Sequence, residues 1–165
     1  QASCVWYYRR LIDEVGEKRT KHYLQKFNYG NMDTSDWKGL LNSNTNIPEL
    51  RGFWLESSLK ISPVEQTRVL AEIFKKNSPA AADLQNVMKI QDSPVKIYGK
   101  TGMGVKNDKV VDAWFVGFYE TADNKIFFAV RLDDNDNNAA PGYRTRASQI
   151  ARQITVEIIN REKIF

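Results

Sequence analysis

The sequence has 165 residues, of which 42% are hydrophobic and 27% are charged, and these values fit one globular domain with its own core. The net charge is +4 and the basic residues are scattered, so the composition argues against a nucleic-acid-binding surface and weakly favours anionic small ligands. No apolar run approaches membrane-spanning length. The single cysteine, Cys4, excludes an internal disulfide, and no metal site is expected.

The chain begins with Gln1 and shows no signal peptide, so we expect it to be a processed product or a fragment. The single histidine, His22, lies among Lys18, Arg19 and Lys21 on a polar helix face, and is not expected to be catalytic. Acid–base chemistry would therefore use Lys, Ser, Tyr or a carboxylate.

The N-terminal half is predicted to be helical. Apolar residues at helical spacing and glycine or serine at the ends indicate these segments. The predicted helices are Ser3 to Val15, Glu17 to Phe27, Ser62 to about Lys76, and one that starts at Ser78-Pro79. Ser62 and Glu65 are spaced as a capping box. The polar stretch from Asp33 to Asn46 is predicted to be surface, and Phe53-Trp54-Leu55 is a bulky apolar cluster.

The second half is predicted to form antiparallel strands followed by one helix. The strands are Lys96 to Thr101, Val111 to Glu120 and Lys125 to Leu132, with a hairpin turn at Asp123-Asn124, and the helix is Arg144 to Arg161. Helices, then antiparallel strands, then a terminal helix predict an α+β fold. The three predicted strands make a small sheet, which we expect to be incomplete in this chain.

Glycines flank a cation and a hydroxyl at the end of the first predicted strand. Gly99 and Gly102 remove side chains on both sides of Lys100 and Thr101, which lets a ligand approach the backbone. A cation, a hydroxyl and bare N–H groups suit an anionic ligand with a reacting carbonyl. Lys100-Thr101-Gly102 is also the K-T-G triplet of serine penicillin-recognising enzymes. On its own, the triplet is more often a strand that ends in a turn.

Several further segments accompany this triplet. In order along the chain they are Ser3-Cys4-Val5, Tyr29-Gly30-Asn31, Phe53-Trp54-Leu55-Glu56, Leu59-Lys60-Ile61-Ser62 and, after the triplet, Ala113-Trp114-Phe115-Val116-Gly117. Together with the triplet, they make the sequence resemble the class D β-lactamases over nearly its whole length. The resemblance implies an α+β penicillin-recognising serine β-lactamase/transpeptidase-like fold, with residues 1–165 as the C-terminal part of one such domain. The β-lactam sensor domains of resistance-signalling receptors share this pattern, and penicillin-binding transpeptidases are more distant.

The S-x-x-K motif that holds the family's nucleophile is not found upstream of Ser3. Its spelling does occur at Ser35 to Lys38, Ser57 to Lys60 and Ser93 to Lys96, all downstream of Ser3 and so in the wrong order. We interpret these matches as coincidence. The resemblance therefore implies that the nucleophile and its lysine belong to a preceding segment absent from this chain.

The resemblance gives catalytic roles to Ser3, Trp54 and Lys100. Trp54 would donate its indole N–H to a carbamate that carbon dioxide forms on the absent lysine, although a tryptophan can also be plain core. Ser3 would relay a proton to the departing nitrogen beside Lys100, although it can equally be a helix cap. No other cofactor is implied.

The substrate-binding residues implied by the resemblance are Val5, Leu55, Thr101, Gly102, Met103 and Arg152. Val5 would be a gate above the lysine or simple core packing, and Leu55 would line a dry pocket. Thr101-Gly102 would bind the substrate carboxylate with Lys100, and the N–H of Met103 would form half of an oxyanion hole. Tyr29 would close the pocket wall or only hold its loop.

An arginine near the start of the closing helix would complete the carboxylate site. Arg144, Arg146 and Arg152 compete for this role, and matching backwards from the chain end favours Arg152, although a solvated helix arginine is an equal alternative.

The function implied is hydrolysis of β-lactam antibiotics through a serine acyl-enzyme, in an extracytoplasmic protein. Its partners would be the β-lactam and the missing N-terminal segment, with the oligomeric state open. A sensor that is acylated without turnover is the first alternative, and a non-catalytic fragment that keeps the fold is the second.

Overall fold

The computed structural model describes residues 4–43, 47–76, 78–106, 109–133 and 143–161. Within these ranges the helices are α1 (Val5–Val15), α2 (Glu17–Lys26), α3 (Pro63–Lys75), α4 (Pro79–Met88) and α5 (Tyr143–Arg161), with a 3-10 turn at Pro48–Leu50. The strands are β1 (Lys89–Gln91), β2 (Lys96–Lys106), β3 (Lys109–Glu120) and β4 (Lys125–Asp133). This order confirms the predicted α+β class.

The helix ends follow the local sequence. Gly16 ends α1 with φ +77°, a left-handed conformation that glycine adopts without strain. At the start of α3, the Ser62 hydroxyl accepts from the N–H of Glu65 while the Glu65 carboxylate accepts from the N–H of Ser62, which confirms the capping box. Helix α1 begins at Val5 with Cys4 at the N-cap, so the prediction of a helix from Ser3 starts too early.

The sheet is antiparallel throughout, with strand order β1-β2-β3-β4. It has one more strand than predicted, because the short β1 pairs with β2 at Lys89↔Tyr98 and Gln91↔Ile97. Strand β2 also continues beyond the predicted end at Thr101 to Lys106. Its glycines therefore lie inside a strand, where they pair with β3.

Helices cover both faces of the sheet. On one face, Tyr98 and Phe118 pack with Phe74 of α3 and Met88 of α4. On the other face, Ile97 and neighbouring residues pack with Ile159 of α5. Since side chains alternate along a strand, Lys100 lies on the same face as Tyr98, the face that α3 and α4 cover.

Candidate functional site

The K-T-G triplet lies in the middle of β2, paired with β3. Lys100 is opposite Val116, Thr101 is opposite Phe115, and Gly102 is opposite Trp114. Lys100 and Thr101 are half-buried, whereas Gly102 is exposed. Because neighbouring residues alternate, Lys100 and Gly102 share one face of the sheet and Thr101 lies on the other.

Lys100 is held in a partly dehydrated position. Its Nζ donates to the carbonyl oxygen of Thr101 at 2.7 Å. Burial lowers the pKa of the Lys100 amine, because a charged ammonium loses hydration there. An ammonium in this setting interacts more strongly with an incoming anion than a fully hydrated one would.

Trp54 stands on a loop, packed on several sides. Its ring meets the Phe53 ring edge-on with centroids 5.2 Å apart, and the Arg9 guanidinium carbon lies 5.8 Å from the Trp54 ring centroid. A Cβ added to Gly52 would stand 2.5 Å from the Cη2 and Cζ3 atoms of Trp54. Phe53 is the core residue of this cluster, at 2% exposure, whereas Trp54 is only half-buried.

A network of side-chain hydrogen bonds holds the Trp54 loop to residues 31–43. Asn42 Nδ2 donates to the carbonyls of Leu55 at 2.8 Å and Leu50 at 3.4 Å. The N–H and Oγ of Ser43 both donate to Glu56 Oε2, at 3.2 and 2.7 Å. Glu56 has φ +47°, an uncommon conformation for a side-chain-bearing residue that such tethering can maintain.

Asp36 and Asn31 belong to the same hydrogen-bond network. Ser57 Oγ donates to Asp36 Oδ2 at 2.5 Å, and the N–H groups of Leu40 and Leu41 donate to the same carboxylate. Burial opposes the charge of Asp36, but these hydrogen bonds outweigh it, so the pKa of the Asp36 carboxyl lies below its ordinary value. Asn31 then accepts from the N–H of Lys60 at 2.9 Å.

This hydrogen-bond network includes Ser57, the first residue of the S-x-x-K match at Ser57 to Lys60. Ser57 is 4% exposed and its hydroxyl is bound to Asp36, while Lys60 is exposed. The pair therefore lacks the arrangement of an accessible nucleophile and a buried base, which supports the interpretation of this match as coincidence.

A cavity of about 490 Å³ lies between the Trp54 loop and the sheet. It brings Trp54 and Leu55 together with Met103, as the resemblance implies. The remaining lining residues are Asn42, Leu50, Glu56, Leu59, Lys60, Ile61, Gly104, Val105, Val111, Asp112 and Trp114. Trp114 lies on the sheet face that carries Lys100, so the lysine stands beside the cavity wall without lining it.

Other predicted site residues lie elsewhere or outside the described residues. Val5 is half-buried at the first position of α1, and Ser3 lies outside the described residues. Arg152 is exposed and lines a separate cleft with Ile90 and Gln91, between α5 and β1.

Arg144 and Arg146 compete with Arg152 for the carboxylate-binding role. Arg146 is exposed near the start of α5, and the side chain of Arg144 lies outside the described residues.

Tyr29 lines a small apolar cavity between α1 and α2 rather than the Trp54 cavity, and burial raises the pKa of its hydroxyl.

The structure adds residues that the sequence did not assign to the site. Trp114 forms one cavity wall, and the Arg131 guanidinium carbon lies 5.9 Å from its ring centroid. Arg131 also pairs with Asp112 at 3.1 Å, which fixes this part of the wall. The alternation of side chains along β3 could have predicted that Trp114 lies beside Lys100. No local sequence signal indicates that Asn42 and Asp36 hold the loop that carries Trp54.

Comparisons with known proteins agree with this geometry. Among curated proteins, the chain is 30% identical over 171 residues to the regulatory protein BlaR1 of Bacillus licheniformis, covering 99% of this chain and 25% of that protein. Among solved structures, it superposes on the class D β-lactamase BSU-2 delta mutant with a TM-score of 0.74 and 29% identity, covering 100% of this chain and 60% of that one. The C-terminal domain of the Bacillus licheniformis BlaR penicillin-receptor gives a TM-score of 0.71 and 30% identity, with coverages of 98% and 59%.

These matches span only part of each relative, a quarter of BlaR1 and about 60% of the solved chains. They confirm a class D β-lactamase-like fold and a relationship to both the β-lactamases and the BlaR1-type regulators. Residues 1–156 match the penicillin binding protein transpeptidase domain. The chain therefore belongs to the penicillin binding protein transpeptidase domain family.

Proposed function

We propose that this chain forms the substrate-binding and base-supporting part of an extracytoplasmic β-lactam hydrolase that works through a serine acyl-enzyme. The serine nucleophile and its lysine would come from a segment outside this chain. The protein that contains both parts is called the complete protein below. One observation carries the proposal: the cavity that brings Trp54 and Leu55 against strand β2 at Met103, just after the K-T-G triplet.

The strand can hold the β-lactam carboxylate and the reacting carbonyl. Lys100 supplies a partly dehydrated cation, and Gly102 leaves the backbone open to a ligand because it carries no side chain. The N–H of Met103, one residue further, would donate to the oxyanion that develops during acylation. Thr101 lies on the other sheet face from Lys100. Its hydroxyl would therefore reach the substrate carboxylate only if the carboxylate binds at the edge of β2 that faces away from β3.

Trp54 and Leu55 suit the surroundings of a carboxylated lysine. The side chains of Leu55, Leu59 and Ile61 give the cavity that Trp54 lines an apolar portion, and apolar surroundings would favour the neutral amine that reacts with carbon dioxide. The resulting carbamate would supply the base for deacylation. Trp54 would hold it through its indole N–H, while Leu55 keeps bulk water out.

A sensor that is acylated without rapid turnover is the second candidate. The superposition on the BlaR penicillin-receptor domain supports it, because the coverage and TM-score nearly equal those for the class D β-lactamase. Both candidates use the same acylation step. They differ in whether the Trp54 side of the cavity supports deacylation.

Two variants of the complete protein test the proposal through separate steps. Trp54→Ala should slow deacylation by at least about tenfold and change acylation less, because it removes a donor to the base. Lys100→Ala should mainly weaken acylation, because it removes the cation that binds the carboxylate. Stopped-flow kinetics with a chromogenic cephalosporin separate the two steps.

Equal losses in both steps for Trp54→Ala would identify a structural tryptophan instead. Unchanged acylation in Lys100→Ala would remove Lys100 from the carboxylate site. Turnover by the isolated 165-residue chain would contradict the claim that the nucleophile lies outside it.

A further inference from the structure

Arg9 connects helix α1 to the Trp54 loop. Its Nη1 donates to the carbonyl oxygen of Arg51 at 3.1 Å, three residues before Trp54. On its other side, Nε and Nη2 bind both carboxylate oxygens of Asp13, at 3.0 and 2.8 Å. A planar guanidinium held from two directions has little freedom to move.

The same guanidinium lies over the Trp54 ring, with its carbon 5.8 Å from the ring centroid. A cation near an aromatic face is attracted by the negative face of the ring. The Arg9 side chain is only 21% exposed, so solvent weakens this attraction less than on an open surface.

The Gly52 backbone and the Phe53 ring occupy two further sides of the ring. The Gly52 backbone lies so close that an added Cβ would stand 2.5 Å from the ring, and the Phe53 ring meets it edge-on. The ring therefore lies between backbone, an aromatic edge and a cation. Of these contacts, only Arg9 comes from a different element, helix α1.

We propose that Arg9 is a positioning residue that fixes the Trp54 indole relative to helix α1. The inference rests on the proposed function in one respect, because the indole would hold the base for deacylation. Through the same contacts, Arg9 would join helix α1 to the loop that forms the Trp54 side of the cavity.

The neighbouring residue provides a matched control. Arg10 carries the same charge on the same helix but is exposed, whereas Arg9 makes the described contacts with the Trp54 ring and the Arg51 carbonyl. Arg9→Gln and Arg10→Gln thus remove the same charge from the same helix. Arg9→Lys keeps a cation but loses the planar fork.

The first readout is the position of Trp54 itself. The chain has four tryptophans, so the complete protein is labelled with 5-fluorotryptophan and the Trp54 ¹⁹F signal is assigned with Trp54→Phe. Arg9→Gln should shift or broaden the Trp54 signal, Arg9→Lys should do so less, and Arg10→Gln should leave it in place.

The second readout is kinetic. Arg9→Gln should slow deacylation about tenfold, within the range expected for a lost cation–π contact, with acylation changed less than about twofold. Arg9→Lys should recover part of the rate, and Arg10→Gln should match the parent. If Arg9→Gln does not fold, Arg9→Lys and Asp13→Asn give the same comparison, since Asp13→Asn releases one side of the guanidinium.

The two proposals fail in different ways. Parental kinetics and an unmoved Trp54 signal in Arg9→Gln would overturn the role of Arg9 while leaving β-lactam hydrolysis intact. Equal effects of Arg9→Gln and Arg10→Gln would also overturn it, since they indicate a general charge effect. A complete protein that never reacts with β-lactams would instead overturn the proposed function, and the ¹⁹F signal would still decide the role of Arg9.

Discussion

Lys100 shows how one residue's surroundings shape what it can do. It stands on the central strand β2, half-buried, with its Nζ bound to the Thr101 carbonyl. Burial lowers the pKa of its amine. The amine therefore loses its proton at a lower pH than a lysine in water, and with it the charge that would bind a substrate carboxylate.

This shift predicts the pH dependence of acylation in the complete protein. The charged form exists below the folded-state pKa, so the acylation rate should fall as pH rises through that value, starting below the ordinary lysine pKa. Rates of acylation by a penicillin across the alkaline range check this.

Lys100→Arg provides the comparison, because arginine stays charged throughout the range. Its acylation should be lower overall but flat where the parent declines. An identical alkaline decline in Lys100→Arg would assign that decline to another group.

At the scale of elements, the loop that carries Trp54 has no regular structure between Arg51 and Ile61, yet it is held by several hydrogen bonds from residues 31–43. The Asn42 side chain is 5% exposed and donates to two loop carbonyls. Buried carbonyls without partners are costly, so the loop depends on this amide.

Asn42→Asp should therefore destabilise the chain by about 1 to 3 kcal/mol, because the carboxylate keeps the size of the amide but loses both donors. The midpoint of urea unfolding measures this change. Asn86→Asp is the control, since Asn86 is exposed on α4, and it should differ little from the parent. Equal midpoints for the two variants would show that Asn42 does not support the loop.

The sequence predicted the elements whose pattern is local. Helix α3 follows from the Ser62–Glu65 capping box and its apolar spacing, and β3 from a run of β-formers. The three-residue β1 is too short to leave a pattern, and it exists because it pairs with β2. The Asn42–Leu55 and Arg9–Arg51 contacts join residues more than ten positions apart, and no local rule predicts them.

For the site, the resemblance placed Trp54, Leu55 and Met103 together, and the cavity contains all three. It also implied Arg152, which was matched by position from the chain end. In the structure that arginine lies in the cleft beside β1. The roles of these residues remain predictions.

At the scale of the whole molecule, several large apolar side chains are exposed to solvent. Trp6, Tyr7 and Tyr8 of α1 are each more than half exposed, and Leu40 and Leu41 are exposed at 63% and 69%. Exposed apolar surface of this extent often marks a contact with another segment or protein.

No helix in the described part of the chain has the length and apolar character needed to cross a membrane. Helices α3, α4 and α5 pack against the sheet. An extracytoplasmic location stays part of the proposed function.

Intact-protein mass spectrometry of the source protein, before and after adding a penicillin, tests the central claim most directly. We predict a species larger than the 165-residue chain that gains the mass of the drug and then loses it, as a full hydrolase would. Gain without loss would instead identify the sensor. A protein of only these 165 residues that takes up no drug would contradict the proposed function, because no part of it would carry the nucleophile.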